Sequence, residues 1–343
     1  MNSFNKTSPL PKLKVGIVGV GHLGEFHLQK YLLHPAVTVS GIVETRPERA
    51  KEIFKKYKIP IFTSVSELIP EIEAASIAVP TSEHFTVATE LTSNGIHILV
   101  EKPFTKTVEQ AEQLLQLSRQ EGTLIQVGHI ERFNPALTIL FEKKIPLAPR
   151  FIESHRLSGF TRRSTDISVV SDLLIHDIDL VLTLANSPVI SVDAVGISII
   201  SVEPDLANAR LTFANGCVAN LNASRLSIKP MRKMRVFQED FYISINFLKG
   251  ISEIYSLEKN PGLKKSLRFP LDEKRSIYYS KLKPQKSDAL ALEIDTFVQA
   301  VINRRPPLVS GEQGLQALKI AAMIEKKIQD NLKNTPSSLS SFS

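Results

Sequence analysis

Apolar and polar positions along the first third of the chain fall into short apolar runs separated by longer stretches of helical period. The runs at 14–18, 37–43, 74–79, 96–100 and 124–127 read as buried strands. Between them, 23–34, 47–57, 83–94 and 108–121 place apolar residues at helical spacing, and Gly95 and Gly122 stop two of these segments. Alternation at this spacing predicts βαβ units and a parallel sheet. After that the pattern changes. The spacing predicts a helix over 166–185, strands over 189–200, 207–213, 217–223 and 236–247, and late helices over 290–303 and 314–332. Asn215-Gly216 lies between two of the strands and is a hairpin signal, so those neighbours should be antiparallel.

Composition supports this division. A chain of 343 residues with 43% apolar and 22% charged residues can bury a core in each of two domains. We expect a flexible arm over 1–11, a first domain over 12–130 and a second over 131–332. The late helices are free to pack back on the first domain, and 333–343 forms a Ser-rich tail. One cysteine, Cys217, excludes an intramolecular disulfide and a multi-cysteine metal site, and no metal is expected. No apolar run reaches the roughly 18 residues of a membrane span. The polar start of the chain lacks the apolar stretch of a signal peptide, so the expected location is cytoplasmic.

The net charge of +7 is uneven: 225–286 holds 15 Lys and Arg against 6 Asp and Glu, which leaves the remainder at −2. Such a stretch can mean nucleic acid, a membrane surface or an anionic small molecule, or simply a solvated basic face, and no membrane partner is expected. No zinc finger, aromatic RNA-binding signature or basic heptad accompanies it, so nucleic acid is not an expected partner.

Candidate chemistry sits where the predicted strands end. Gly19-Val20-Gly21-His22-Leu23-Gly24 is G-x-G-x-x-G, following a strand and opening a helix. Gly19 permits the tight turn, Gly21 lets the backbone approach a pyrophosphate, and Gly24 lets helix and strand pack closely. The helix start at His22 and Leu23 then offers N–H groups to phosphates. Glu44, 20 residues on, suits ribose hydroxyls and repels a 2′-phosphate, which favours NAD over NADP; Arg46 softens that preference and keeps NADP open. Pro80, Thr81 and His84 follow the third long strand and are placed to meet the cofactor, although His84 reads equally as a surface cap. Glu101, Lys102 and Pro103 follow the next. A half-buried lysine there can serve as acid or base, whereas an isolated one is ordinary surface. Asp172 and His176, four apart on a predicted helix, share a face, and Asp179 shares that side; a plain surface pair is the competing account.

The glycine motif, Glu101-Lys102-Pro103 and the Asp172-x-x-x-His176 helix together resemble the Gfo/Idh/MocA oxidoreductase family from about Lys12 to Leu332, and the segment 310–318 is similar to that family's closing helix. The resemblance implies an α/β chain: an N-terminal Rossmann domain with a parallel sheet, then a C-terminal α+β domain with a mostly antiparallel sheet. It implies hydride transfer between a nicotinamide and a sugar or cyclitol. It assigns Lys102 to the substrate hydroxyl and nicotinamide, His176 to the general base, Asp172 as its partner, and a cis peptide before Pro103. The family often carries glycines where Val169-Val170-Ser171 stands, so the backbone at the helix start should differ.

The stretch 128–135, with His129, Arg132 and Asn134, resembles members that oxidise the 3-hydroxyl of UDP-N-acetylglucosamine and feed an aminotransferase. Its bland account is junction packing, with Phe133 in a core and Pro135 opening a helix. Arg156, Arg162 and Arg163, read as a loop before the Asp172 helix, suit a diphosphate. The alternatives are an inositol or free-sugar dehydrogenase, and a nicotinamide-binding regulator without chemistry. An uncovered sheet face predicts a homo-oligomer, a dimer or tetramer.

Overall fold

A computed structural model describes residues 12–160, 167–239, 241–257, 263, 266–284 and 287–334. The predicted arm over 1–11 and most of the tail lie outside them, as do Arg162 and Arg163. The chain divides into two units: one formed by 1–128 and 290–311, the other by 129–289 and 312–343.

The first unit holds β1 (Leu13–Val18), α1 (His22–Leu33), β2 (Val37–Val43), α2 (Pro47–Tyr57), β3 (Ile61–Phe62), α3 (Val65–Leu68), β4 (Ala74–Ile77), α4 (Thr81–Ser93), β5 (His97–Glu101), α5 (Val108–Glu121) and β6 (Ile125–Gly128). Its sheet runs β3-β2-β1-β4-β5-β6 with every pair parallel. Val15, Ile17, Ile42, Ile77, Ile98 and Val100 lose all contact with water, as continuous apolar runs covered on both faces should. Strand order reverses between β1 and β4, and ligands of such sheets bind at the carboxyl ends beside that reversal. The helix α5 starts at a capping box between Thr107 and Gln110 and stops at Gly122, whose φ of 66° suits glycine.

The second unit holds α6 (Pro135–Glu142), β7 (Phe151–Leu157), a π-helical turn (Val170–Leu174), α7 (Ile175–Ala185), β8 (Val189–Ile197), β9 (Leu206–Phe213), β10 (Val218–Ser224), β11 (Met231–Phe237), β12 (Phe241–Asn246), β13 (Ile251–Ser256), β14 (Leu267–Pro270) and β15 (Ser276–Leu282). The sheet order is β14-β15-β13-β12-β11-β7-β10-β9-β8. Every pair is antiparallel except β7 with β10. Alternating burial along β7, β12 and β13 marks one core face. The opposite face carries a row of rings, Phe151, Phe237, Tyr242, Tyr255 and Tyr279, each on a neighbouring strand with centroids 4.6–5.8 Å apart.

The hairpin at Asn215-Gly216 joins β9 to β10, with Gly216 at φ 83°. The run expected as one strand over 236–247 is two, β11 and β12, paired with each other through Val236 and Ile243. The polar run Gln238-Glu239-Asp240 separates them, and the buried apolar positions change phase across it, from Met234 and Val236 to Phe241, Ile243 and Ile245. The last two helices are α8 (Ala289–Asn303), in the first unit except for its first residue, and α9 (Gly311–Asn334), which lies in the second from Glu312 onward. No helix among the described residues is long and apolar enough to cross a membrane.

Candidate active site

The glycine loop has the shape a dinucleotide needs. Gly19 sits at φ 83°, and a Cβ there would meet Val79 and the Ala78 carbonyl at 2.8–3.0 Å. A Cβ on Gly24 would stand 2.0 Å from the Gly19 carbonyl oxygen, so only glycine lets α1 pack this closely. A Cβ on Gly21 would meet nothing nearer than the Arg46 guanidinium at 4.0 Å. Gly21 therefore opens on space, and α1 begins there with no side-chain cap, while His22 and Leu23 in its first turn are exposed. This is an anion cradle made of backbone, and it fits the pyrophosphate of NAD.

Glu44 ends beside that cradle. Its side chain is buried and bound to Arg46 by two guanidinium contacts of 2.9 Å, with the Arg46 N–H donating at 3.0 Å. Burial pushes its carboxyl up, and Arg46 more than offsets this, holding it below the usual value. Arg49 donates to the Val20 carbonyl at 2.8 Å and bonds Glu25, bracing the loop from α2. The sequence gives no sign of this bracing, because nothing in a helical arginine tells which carbonyl it will reach.

Pro80 and Thr81 stand at the start of α4, after β4. His84 is not a surface cap. It is 1% exposed, with Nδ1 at 2.9 Å from the Pro103 carbonyl and Nε2 at 3.1 Å from that of Val79. It ties the segments after β4 and β5 together, and burial pushes its imidazole pKa down. Lys102 is half-buried directly after β5, and the Lys102–Pro103 peptide is cis.

In the second unit, Asp172 lies inside the π-helical turn and His176 in the first turn of α7, both half-buried. The Ile175 N–H reaches back five residues to the Val170 carbonyl. The stretch expected as one regular helix is therefore π-helical at its start, where Asp172 stands, and α-helical from Ile175 onward, where His176 stands. Val169 and Val170 are fully buried where glycines were the family pattern.

Among the described residues expected at the substrate, His129, Arg132 and Arg156 are buried and Asn134 is half-buried. Arg156 belongs to β7, not to a loop, and is 2% exposed. It grips Asp177 at 2.9 and 3.0 Å and Glu131 at 2.8 Å. Arg132, also buried, makes two 2.7 Å bonds to Asp179. Asn134 caps α6 through the Ala136 N–H and donates to Glu131. His129 is 1% exposed, and Phe133 is in the core. Of the three arginines read from sequence as suiting a diphosphate, Arg156 is thus occupied by carboxylates, while Arg162 and Arg163 lie outside the described residues; Arg156 and Arg132 anchor α7 at the residues one and three beyond His176. Asp177 and Glu131 were missed as partners because pairing across elements leaves no local pattern. Among the described residues no cluster could hold a metal ion.

A glycine cradle at the carboxyl end of a doubly wound sheet, joined to a mixed-sheet domain, defines a class. Two family profiles match: an oxidoreductase family with an NAD-binding Rossmann fold over residues 13–129, and the C-terminal alpha/beta domain of an oxidoreductase family over residues 161–333. The chain belongs to the Gfo/Idh/MocA oxidoreductases, and its first domain is an NAD-binding Rossmann domain. Among individual proteins it is similar to the UDP-N-acetylglucosamine 3-dehydrogenase of Acidithiobacillus ferrooxidans, at 37% identity over 318 residues, 92% of this chain and 97% of that protein. A solved structure of that enzyme matches with TM-score 0.85 at 36% identity, covering 94% of this chain and 99% of the other. The myo-inositol 2-dehydrogenase of Thermotoga maritima is 21% identical, over 93% of this chain and 97% of that protein. Levoglucosan dehydrogenase in complex with NADH shares the fold, with TM-score 0.80 at 18% identity over 93% of this chain and 97% of that one.

Proposed function

We propose that the chain oxidises the 3-hydroxyl of UDP-N-acetylglucosamine with NAD, giving a 3-keto nucleotide sugar that an aminotransferase consumes. The observation that carries this is the 37% identity spanning 92% of the chain to an enzyme of that name. The relation to the inositol dehydrogenase is far weaker, at 21%. A regulator without chemistry would need only the cradle and Glu44, yet Lys102, Asp172 and His176 are all present.

The cradle at Gly19, Gly21 and Gly24 holds the pyrophosphate, and Glu44 the adenosine ribose. Bound NAD supplies a hydride acceptor. His176 takes the hydroxyl proton as neutral imidazole, with Asp172 steadying the imidazolium that results. Lys102 donates to the same hydroxyl oxygen as its charge builds. Arg156 and Arg132, through Asp177 and Asp179, keep α7 from turning and so keep His176 aimed.

The test is NADH absorbance with purified protein, NAD and UDP-N-acetylglucosamine, with an aminotransferase and amino donor removing the ketone. Myo-inositol and glucose run in parallel. The expected result is NADH from the nucleotide sugar alone, with Lys102→Ala and His176→Ala slowed by about 10²–10⁴-fold while still binding NAD. Turnover of inositol in place of the nucleotide sugar would overturn the substrate, and full activity in both variants would overturn the roles.

A further inference from the structure

A polar chain runs through the interior of the first unit, where apolar packing would be cheaper. Tyr31 Oη lies 2.8 Å from Ser76 Oγ, which lies 3.2 Å from His27 Nδ1. His27 Nε2 lies 2.9 Å from Glu101 Oε1. Tyr31, Ser76 and His27 have no exposed surface, and Glu101 keeps 9%. With a neutral imidazole, one assignment of protons serves every link. Tyr31 donates to Ser76, Ser76 donates to Nδ1, and the Nε2–H donates to the Glu101 carboxylate. Burial pushes the Tyr31 phenol pKa well up, so the head of the chain stays a donor.

Ser76, His27 and Glu101 stand in the order of a nucleophile, its base and an orienting acid. Ser76 lies on β4 with no exposed surface, so no substrate reaches its hydroxyl. The chain must therefore serve the other end, which is Glu101. That carboxyl is held from two sides. His27 bonds one oxygen, and Gly128 at the end of β6 bounds the group: a Cβ there would stand 3.0 Å from Cδ and from both oxygens, so a larger residue would take the carboxyl's place. The result is a clamped carboxylate at the carboxyl end of β5. Glu44 marks β2 as the adenosine side of the crevice, so the half of the sheet holding β4, β5 and β6 takes the nicotinamide side.

We propose that this chain exists to hold a negative charge beside the nicotinamide pocket, so that the protein binds the cationic oxidised ring in preference to the neutral reduced one, with His27 as the residue that positions Glu101. A fixed carboxylate in a poorly screened interior attracts NAD but has no monopole attraction for the reduced ring, which favours release of NADH after hydride transfer. The inference rests on the NAD-binding domain and not on the identity of the sugar.

The experiment is a pair of dissociation constants, NAD by calorimetry and NADH by its fluorescence, on the full chain without sugar. Glu101→Gln keeps the size of the side chain and an acceptor for the Nε2–H while removing the charge. The expected result is an affinity ratio of NAD to NADH that falls about tenfold. His27→Ala leaves the charge but frees it to move, and should shift the ratio in the same direction by a smaller factor. A role confined to stability would lower the melting temperature or weaken both cofactors equally, leaving the ratio fixed. A ratio within twofold of the parent in whichever of the two variants folds overturns the proposal. Because no sugar is present, that failure is separate from failure of the substrate assignment.

Discussion

The loop glycines show how far single residues carry their own explanation. Gly24 and Gly21 belong to one motif, yet the structure gives them different work. A methyl on Gly24 would meet backbone at 2.0 Å, and backbone cannot step aside as a side chain can. Gly24→Ala should therefore cost about 1–3 kcal/mol of stability as well as cofactor binding. A methyl on Gly21 meets nothing of the protein within 4 Å except the Arg46 guanidinium at 4.0 Å. Gly21→Ala should melt with the parent and still lose NAD affinity, because the methyl takes the room into which the pyrophosphate comes. Thermal melts paired with NAD titrations check both, and a Gly21→Ala protein that binds NAD like the parent contradicts the cradle. Motif residues of this kind are legible because their reason is local. The burial of His84, Arg132 and Arg156 was not legible, because the partner of each lies elsewhere in the chain. A buried arginine and a phosphate-binding arginine look alike until the carboxylate facing it is known.

At the scale of elements, the helix expected over 166–185 is the informative case. Its apolar spacing was legible, and the π-helical turn inside it was not, since one extra residue in a turn leaves the surrounding period nearly unchanged. That turn is tied to α9. Ser171 Oγ donates to Glu325 Oε1 at 2.8 Å. Burial pushes the Glu325 carboxyl up from its ordinary value, against the hydrogen bonds from Ser171 and Ser168. The folded protein thus takes up a proton at Glu325 more readily than the unfolded chain does. Its contribution is fully present below the ordinary glutamate pKa of about 4.5 and is lost as pH rises through the raised folded value. Glu325→Gln keeps an acceptor for Ser171 and never ionises. It should match the parent in melting temperature near pH 4 and exceed it near pH 8, with the gap opening across the raised pKa. A variant whose difference from the parent is the same at both values would remove ionisation of Glu325 from the account. The strands of the second unit were legible where a turn residue marks their end, as at Gly216. The turn between β11 and β12 was missed although Gln238-Glu239-Asp240 and the change of apolar phase mark it.

At the scale of the whole molecule, the division into two domains followed from length and the change of period, and the late helices were free to pack back on the first domain, but which of them does so was not legible. After the second sheet the chain returns to the first unit for residues 290–311. There α8 buries Leu290, Ile294, Phe297, Val298 and Val301. The Val127 N–H donates to the Val309 carbonyl at 3.0 Å, Gln126 Nε2 donates to the Glu293 carbonyl at 3.0 Å, and His34 meets Asp295 at 3.1 Å. A Cβ on Gly311 would stand 2.5 Å from Leu115, so the chain at the start of α9 passes close against α5. At about 1.5–3 kcal/mol for each fully buried side chain, the five apolar residues of α8 contribute on the order of 8–15 kcal/mol. That equals the entire net stability of an ordinary domain, about 5–15 kcal/mol. A fragment of residues 12–130, which the first third of the sequence presents as self-sufficient, should therefore fail to fold cooperatively. The same fragment joined through a Gly/Ser linker to residues 287–311 should recover a cooperative melt and bind NAD close to the affinity of the full chain. Circular dichroism melts of the two fragments, with NADH fluorescence as the binding readout, separate the cases. If 12–130 alone melts at the temperature of the full chain, α8 is an ornament on a finished domain; if only the joined fragment does, the NAD-binding fold is completed by residues that its own motif never announces.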